Sequence, residues 1–313
     1  MRLTRRDFGS ITLGSVAGLA LSRRARAAAA AMPPGAIDCH NHIVGPQSKY
    51  PMAANRTYTP PEASVAQLKA LRVETGAARN VIVQPSFYGF DNSCAVDALK
   101  ELGNSARGIA VVRQDVSDAE LQRLAGIGFT GVRLNFATAG VRDPKAAIDA
   151  INGFAPRFVP LNWHIQINTE LPVVAAIAST VSTLKVPVVF DHMANLEAEK
   201  GANQPGFGAL VELVRAGNTY VKLSAPYNLS KKADYSDVIP LARALIAARA
   251  DRMLWGTNWP HPGNVRGLPF GEISPYQKIN NPNLVRVLEQ EVPDAAMRKM
   301  ILVDTPARLY RFA

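Results

Sequence analysis

Cysteine is scarce in this chain. There are two, Cys39 and Cys94, so at most one disulfide could form. Cys39 falls inside the first apolar run beside two histidines, which favours a buried thiol over a bridge. Histidine is scarce too, with five in 313 residues, so its placement carries information. No apolar run approaches the roughly 20 residues that span a bilayer. No Lys/Arg block of five or more and no aromatic-interleaved basic stripe occurs, which leaves nucleic-acid binding without support. No low-complexity linker divides residues 36–313, so the segment reads as one body.

The N-terminus has the order of an export signal. Thr4-Arg5-Arg6-Asp7-Phe8 is a twin-arginine pattern, Ile11–Leu21 is a short apolar stretch, and Ala25-Arg26-Ala27 offers a small-x-small cleavage site. The expected organisation is a cleaved signal over 1–27, a short segment over 28–35 and a catalytic body over 36–313, located in a bacterial periplasm. Residues 1–27 hold six Arg and one Asp, so about half of the formal net charge of +10 leaves with them. The remaining mild positive balance suits a small anionic substrate. No membrane association beyond the export machinery is expected, and the oligomeric state stays open.

What is present in abundance is the β-branched apolar run followed by a helical segment. Strands are expected near Ile37–His40, Asn80–Gln84, Gly108–Val112, Gly131–Asn135, His164–Asn168, Pro187–Asp191, Tyr220–Ser224 and Arg252–Gly256. Near-continuous apolar strands are those of a parallel sheet covered on both faces. Helices are expected from Pro61-Glu62 to Leu71, over Ala119–Ala125 capped by Asp118, from Asp143-Pro144, over Asp237–Ala250, and from Asn283 to Leu309 with breaks at Pro293 and Pro306. Eight such units predict a single-domain (β/α)8 barrel with C-terminal helices. A doubly wound sheet would want a glycine-rich phosphate loop after the first strand, where His40-Asn41-His42 stands instead.

In such a barrel the chemistry lies at the C-terminal strand ends. The first strand presents His40 and His42 on one face, with Asp38. The second ends Gln84-Pro85-Ser86-Phe87-Tyr88. The fourth carries Arg133 and Asn135, and the fifth runs from His164 to Asn168. The sixth ends Asp191-His192, the seventh gives Lys222, Ser224 and Tyr227, and the eighth runs Trp255-Gly256-Thr257-Asn258-Trp259-Pro260-His261. His164 sits about 13 Å below Asn168 along its strand, so it reads as a packing residue. Lys222 could face either into the barrel or outward.

The Asp38–His42 start, Phe190-Asp191-His192, the Trp255–His261 segment and the closing Asp304-Thr305-Pro306-Ala307-Arg308-Leu309-Tyr310 resemble the amidohydrolase superfamily. The closest resemblance is to its branch of lactone-acting enzymes, which includes 2-pyrone-4,6-dicarboxylate lactonase and galactarolactone isomerase. The resemblance implies a (β/α)8 barrel and a hydrolase. It also implies a metal site built from two strand-1 histidines, a strand-5 histidine, a strand-6 histidine and a strand-8 Asp. Here the strand-5 position is Asn168 and the strand-8 position is Asn258. The expected cofactor is therefore none; zinc on His40, His42 and His192 is the alternative.

The expected reaction is opening of a carboxylated lactone. Arg133 would hold the carboxylate. His40 and His42 would polarise the carbonyl. The base would be His192, Asp191 or a strand-1 histidine, and Asn258 would orient the reactants. Gln84, Ser86, Tyr88, Tyr227 and His261 are candidates for the other substrate oxygens. Three alternatives stay open: lactone isomerisation by intramolecular transesterification, a metal-dependent amidohydrolase or decarboxylase, and a non-catalytic periplasmic binding protein. The loops Phe87–Ser93 and Pro262–Gln277 are expected to select the substrate.

Overall fold

The computed structural model describes residues 32–263 and 268–313. The expected export signal and part of the loop after the eighth strand lie outside the described residues. Eight strands, β1 (Ile37–Asn41), β2 (Arg79–Val83), β3 (Ala106–Ala110), β4 (Phe129–Asn135), β5 (His164–Asn168), β6 (Val188–Phe190), β7 (Thr219–Ser224) and β8 (Met253–Gly256), are hydrogen-bonded in sequence order. Every pairing is parallel. The ring closes where the Asn258 N–H donates to the His40 carbonyl at 2.9 Å and the His42 N–H to the Trp259 carbonyl at 2.8 Å. This is the (β/α)8 barrel expected from the apolar runs, with strand ends moved by one or two residues.

Besides shorter helical turns, one helix of ten or more residues follows each strand: α1 (Val65–Thr75), α2 (Ser93–Leu102), α3 (Asp118–Ile127), α4 (Pro144–Phe158), α5 (Leu171–Ser182), α6 (Phe207–Ala216), α7 (Ile239–Arg249) and α8 (Asn281–Glu291), with α9 (Thr305–Tyr310) near the C-terminus. Among the described residues no helix is long and apolar enough to cross a membrane.

Local chemistry corrects several helix starts. Ser64 and Gln67 form a capping box, so α1 begins at Val65 and not at Pro61-Glu62. The cap of α3 is Ser117, whose hydroxyl accepts from the Glu120 N–H, and Asp118 opens the first turn. Asn280 caps α8. No break occurs at Pro306: a helix over Ala295–Lys299 continues through a π-helical turn over Met300–Asp304 directly into α9, which carries Pro306 as its second residue.

The inward side chains stack in layers. On β4 and β5, Gly131 pairs with His164, Arg133 with Gln166 and Asn135 with Asn168. At the bottom a Cβ on Gly131 would come within 2.6 Å of the His164 carbonyl. The His164 ring fills that space and sets its edge against Tyr310, with centroids 5.2 Å apart. His164 is thus a packing residue. Gly256 serves the same end on β8: a Cβ there would lie 2.8 Å from the His40 backbone nitrogen. Asp38 ties the two closing strands together. Its carboxylate accepts from the Thr257 hydroxyl (2.7 Å), the Thr257 N–H (3.0 Å) and Asn41 Nδ2 (2.9 Å).

Candidate active site

The C-terminal strand ends surround a cavity of about 330 Å³. His42, Ser86, Arg133, His192 and Asn258 line it, as the strand-end reading expected, together with Asn135 and Asn168. Thr57, Tyr58, Asn195 and Asn228 line it as well and were not among the candidates.

The structure separates the two strand-1 histidines. His42 reaches the cavity, whereas His40, two residues down the strand, is fully buried beneath it. His40 therefore cannot touch a substrate carbonyl, contrary to the expected role. It belongs instead to a buried ionic group under the cavity floor, whose hub is Asp191. The Asp191 carboxylate lies 3.0 Å from Arg133 Nε, 3.3 Å from Lys222 Nζ and 3.2 Å from His40 Nδ1. It also accepts from Gln166 Nε2 at 3.0 Å. Lys222 Nζ donates to Gln166 Oε1 at 2.7 Å.

Burial pushes the Asp191 carboxyl up, but the charges of Lys222, His40 and Arg133 outweigh burial and hold it well below the usual carboxylate range. Asp191 is thus held ionised, beneath the cavity lining and engaged by Arg133 and Lys222. Lys222 points into the barrel, fully buried, which settles the orientation the sequence left open. Its signal in the sequence was a charge in the middle of an apolar strand, on the same face as Ser224.

One carboxylate here serves two cations. Removing it would strand both in the dry interior, which typically costs about 3–5 kcal/mol. Asp191→Asn is expected to destabilise the fold by that order, Lys222→Met by less, and the double variant Asp191→Asn/Lys222→Met less than Asp191→Asn alone. Urea midpoints measure this. Equal midpoints for Asp191→Asn and the wild type would contradict the network.

The cavity histidines are held in defined forms. His42 Nδ1 lies 2.8 Å from the Val83 carbonyl. A carbonyl only accepts, so Nδ1 carries the proton and Nε2 is a free base. Burial first, and then the Arg133 charge, lower His42 to about 3. His192 pairs through Nδ1 with the Ser224 hydroxyl at 2.8 Å. A hydroxyl donates or accepts, so this ring can present either a lone pair or an N–H at Nε2. Burial lowers it to about 4. His192 and Asn195 are aimed by an unusual turn: residues 192–195 all have positive φ, between 47° and 56°, with no glycine among them.

Other candidates fall outside the cavity lining. Gln84 turns away, donating to the Asp91 carbonyl at 2.6 Å. The Tyr88 hydroxyl accepts from the Gly45 N–H at 3.1 Å, fixing the β1 loop. Tyr227 and His261 stand behind Asn258. Asn258 Nδ2 donates to the Tyr227 hydroxyl at 3.1 Å, which lies 2.9 Å from His261 Nδ1. Both cysteines are buried free thiols. In the selector loop Pro262–Gln277, residues 264–267 lie outside the described residues.

His40, Asp191 and His192 bring donor atoms within 4.8 Å of one another, and His42 is not among them. His40 Nε2 is buried without a partner, which would favour a cation. The rest of the donor set does not fit a divalent ion. Asp191 is already shared between an ammonium and a guanidinium, and Lys222 Nζ lies 3.3 Å from His40 Nδ1.

Known proteins resemble this chain in sequence and fold. The chain is 38% identical over 290 residues to a 2-pyrone-4,6-dicarboxylate hydrolase of Comamonas testosteroni, covering 89% of this chain and 91% of that protein. It is 33% identical over 285 residues to a 4-sulfomuconolactone hydrolase of Hydrogenophaga intermedia, with 89% of each covered. A solved Pseudomonas putida protein, assigned as a 2-pyrone-4,6-dicarboxylic acid hydrolase, superposes with a TM-score of 0.77 at 27% identity, covering 90% of this chain and 99% of that one. The sequence profile of the amidohydrolase family matches residues 37–312, and the chain belongs to that family.

Proposed function

We propose that the protein is a lactone hydrolase that opens a carboxylated lactone without a metal. The carrying observation is His42, whose Nδ1 is committed to the Val83 carbonyl, so that an unprotonated Nε2 faces the cavity that Arg133 and His192 also line. Arg133 is bound to Asp191 through Nε, which leaves its two terminal nitrogens for a substrate carboxylate. His192, in the tautomer with hydrogen on Nε2, donates to the lactone carbonyl and stabilises the developing oxyanion. His42 Nε2 removes a proton from water as the oxygen attacks the carbonyl carbon. The ring C–O bond then breaks, and the leaving ring oxygen takes the proton back from His42, giving a hydroxy acid.

Substrate binding would strengthen the base. Part of the depression of His42 comes from the Arg133 charge, and a carboxylate on Arg133 would neutralise it.

A second reading is favoured by Asn258. Its amide nitrogen is held by Tyr227, so its oxygen is left for the cavity. A substrate hydroxyl held there could attack in place of water, and the product would be a lactone of another ring size.

Incubation with a lactone panel, read by NMR, distinguishes the two: a ring-opened acid marks hydrolysis, and a rearranged lactone marks isomerisation. Activity is expected to survive dialysis against chelator. Loss of activity that zinc restores would overturn the metal-free proposal.

We further propose export by the twin-arginine route, supported by Arg5-Arg6 and the apolar stretch behind them. Fractionation should find the protein in the periplasm. Unchanged export of an Arg5→Lys/Arg6→Lys variant would contradict the route.

A further inference from the structure

A chain of hydrogen bonds runs from the outer helices to the cavity wall. It starts at the half-buried Glu74, in the last turn of α1, and passes to Asn281, which opens α8. Glu74 Oε2 accepts from Asn281 Nδ2 at 3.0 Å. Asn281 Oδ1 lies 2.7 Å from His261 Nε2, and His261 Nδ1 lies 2.9 Å from the Tyr227 hydroxyl. The hydroxyl lies 3.1 Å from Asn258 Nδ2. Asn281, His261 and Asn258 are all buried.

None of the four inner rungs has a polarity of its own. An amide can turn over, a neutral imidazole can carry its hydrogen on either nitrogen, and a hydroxyl can rotate. Burial lowers His261 to about 4, so the ring is neutral and one nitrogen is a lone pair. The Thr257 carbonyl, 3.4 Å from the Tyr227 hydroxyl, would by itself draw the hydrogen to Nδ1.

The outer end decides against that. A carboxylate accepts and does not donate. Asn281 must therefore turn its N–H to Glu74 and its oxygen to His261. His261 then carries its hydrogen on Nε2, and Nδ1 accepts from the Tyr227 hydroxyl. The hydroxyl oxygen accepts from Asn258 Nδ2, which leaves Asn258 Oδ1 for the cavity that the residue lines. With the opposite polarity Asn281 would set its oxygen against Glu74, and Asn258 would offer N–H to the cavity.

The direction matters to the chemistry. Asn258 and His42 belong to the two strands that close the ring, where the His42 N–H meets the Trp259 carbonyl. Two acceptors, Asn258 Oδ1 and His42 Nε2, can take both hydrogens of an attacking water and leave its lone pair for the carbonyl carbon. An amide N–H in the same place would take up that lone pair.

We propose that Glu74 is a positioning residue: without lining the cavity, it sets the hydrogen-bond polarity of Asn258 through Asn281, His261 and Tyr227. The direction rests on the hydrogen bonds alone, and its effect on turnover rests on the lactonase reading.

Two variants separate polarity from shape. Glu74→Gln keeps the length of the side chain but can donate as well as accept, so it releases the polarity. Glu74→Gln/Asn281→Asp moves the carboxylate one rung inward, with the new amide donating to it, and restores the polarity. The ring tautomer is read at pH 8 from long-range 1H–15N spectra, the His261 signals being assigned by their loss in His261→Gln. Ring opening of 2-pyrone-4,6-dicarboxylate and 5-oxotetrahydrofuran-2-carboxylate is followed by NMR. The wild type should show His261 with hydrogen on Nε2 alone. Glu74→Gln should bring in the Nδ1 form and lower kcat about fivefold with KM unchanged. The double variant should return the Nε2 form and a kcat within about twofold of wild type, a rescue that lost packing at Glu74 would not give. Hydrogen on Nδ1 in the wild type, or an undiminished Nε2 form in Glu74→Gln, overturns the ladder. A shifted tautomer with unchanged kcat, or a restored tautomer without restored kcat, overturns the positioning role. The expected tautomers with no ring opening of either lactone by the wild type leave the ladder standing and count against the lactonase reading.

Discussion

His42→Gln is expected to lower kcat by about 10²–10⁴-fold, the range over which a positioned general base contributes. Glutamine fills a similar space and can still hydrogen-bond to the Val83 carbonyl, but it has no basic nitrogen to offer the cavity. The loss should therefore fall on kcat with little change in KM, and circular dichroism and the urea midpoint should stay near wild type. His40→Gln should give the opposite pattern, because His40 is sealed beside Asp191 and Lys222. Its replacement disturbs the buried ionic group and should lower stability more than it alters the chemical step. With His42 at about 3 and His192 at about 4, both rings are already neutral at pH 7, the base free and the donor in place. The kcat/KM profile of the folded enzyme should be flat from pH 6 to 8. An inflection inside that interval would assign the base elsewhere, and a His42→Gln enzyme within tenfold of wild type would remove His42 from the mechanism.

Acid should destabilise this protein early. An unfolded histidine titrates near 6.5. In the fold, burial holds His42 and His164 at about 3 and His192 and His261 at about 4. Below pH 6.5 the unfolded chain binds protons that the folded chain refuses. Stability present above about 6.5 is therefore lost as pH falls, and the loss is complete only near the folded values. Each histidine contributes a slope of roughly 1.4 kcal/mol per pH unit once fully developed. Glu291 acts in the opposite sense, because burial raises it to about 8 and it holds a proton in the fold; burial pushes the Asp38 carboxyl in the same direction. Burial lowers His40 as well, so five histidines against two carboxyls leave a net uptake of protons on unfolding, set against total stabilities of about 5–15 kcal/mol for typical domains. Urea midpoints at pH 7, 6 and 5 should fall in that order. A constant midpoint down to pH 4.5 would mean that these imidazoles are not held neutral by the fold.

The barrel was legible because its strands are short apolar runs at regular spacing, and such runs have few alternatives to a sheet covered on both faces. The site was legible only residue by residue. His40 and His42 share a face, as the two-residue period dictates, but two residues along a strand is about 6.6 Å, enough to put one at the mouth and the other under the floor. Asp191 looked like a candidate base because the three charges around it come from three other strands, and pairing across strands is invisible in a linear sequence. Tyr227 and His261 were found, but they stand behind Asn258 and outside the cavity lining, a depth the linear sequence does not give. Asn195 escaped because nothing in Met193-Ala194-Asn195 signals a left-handed turn. Glycine is the residue that turn would normally require.

That turn also has a bearing on inheritance. Each non-glycine residue in the left-handed region costs roughly 1–2 kcal/mol, and four such residues follow one another immediately behind β6. A substitution within this segment that relieved the strain would tend to swing His192 and Asn195 away from the cavity. Lineages adapting to heat while keeping this chemistry must then find their stability elsewhere in the barrel. The segment after Asp191 should change slowly while the outer helices drift.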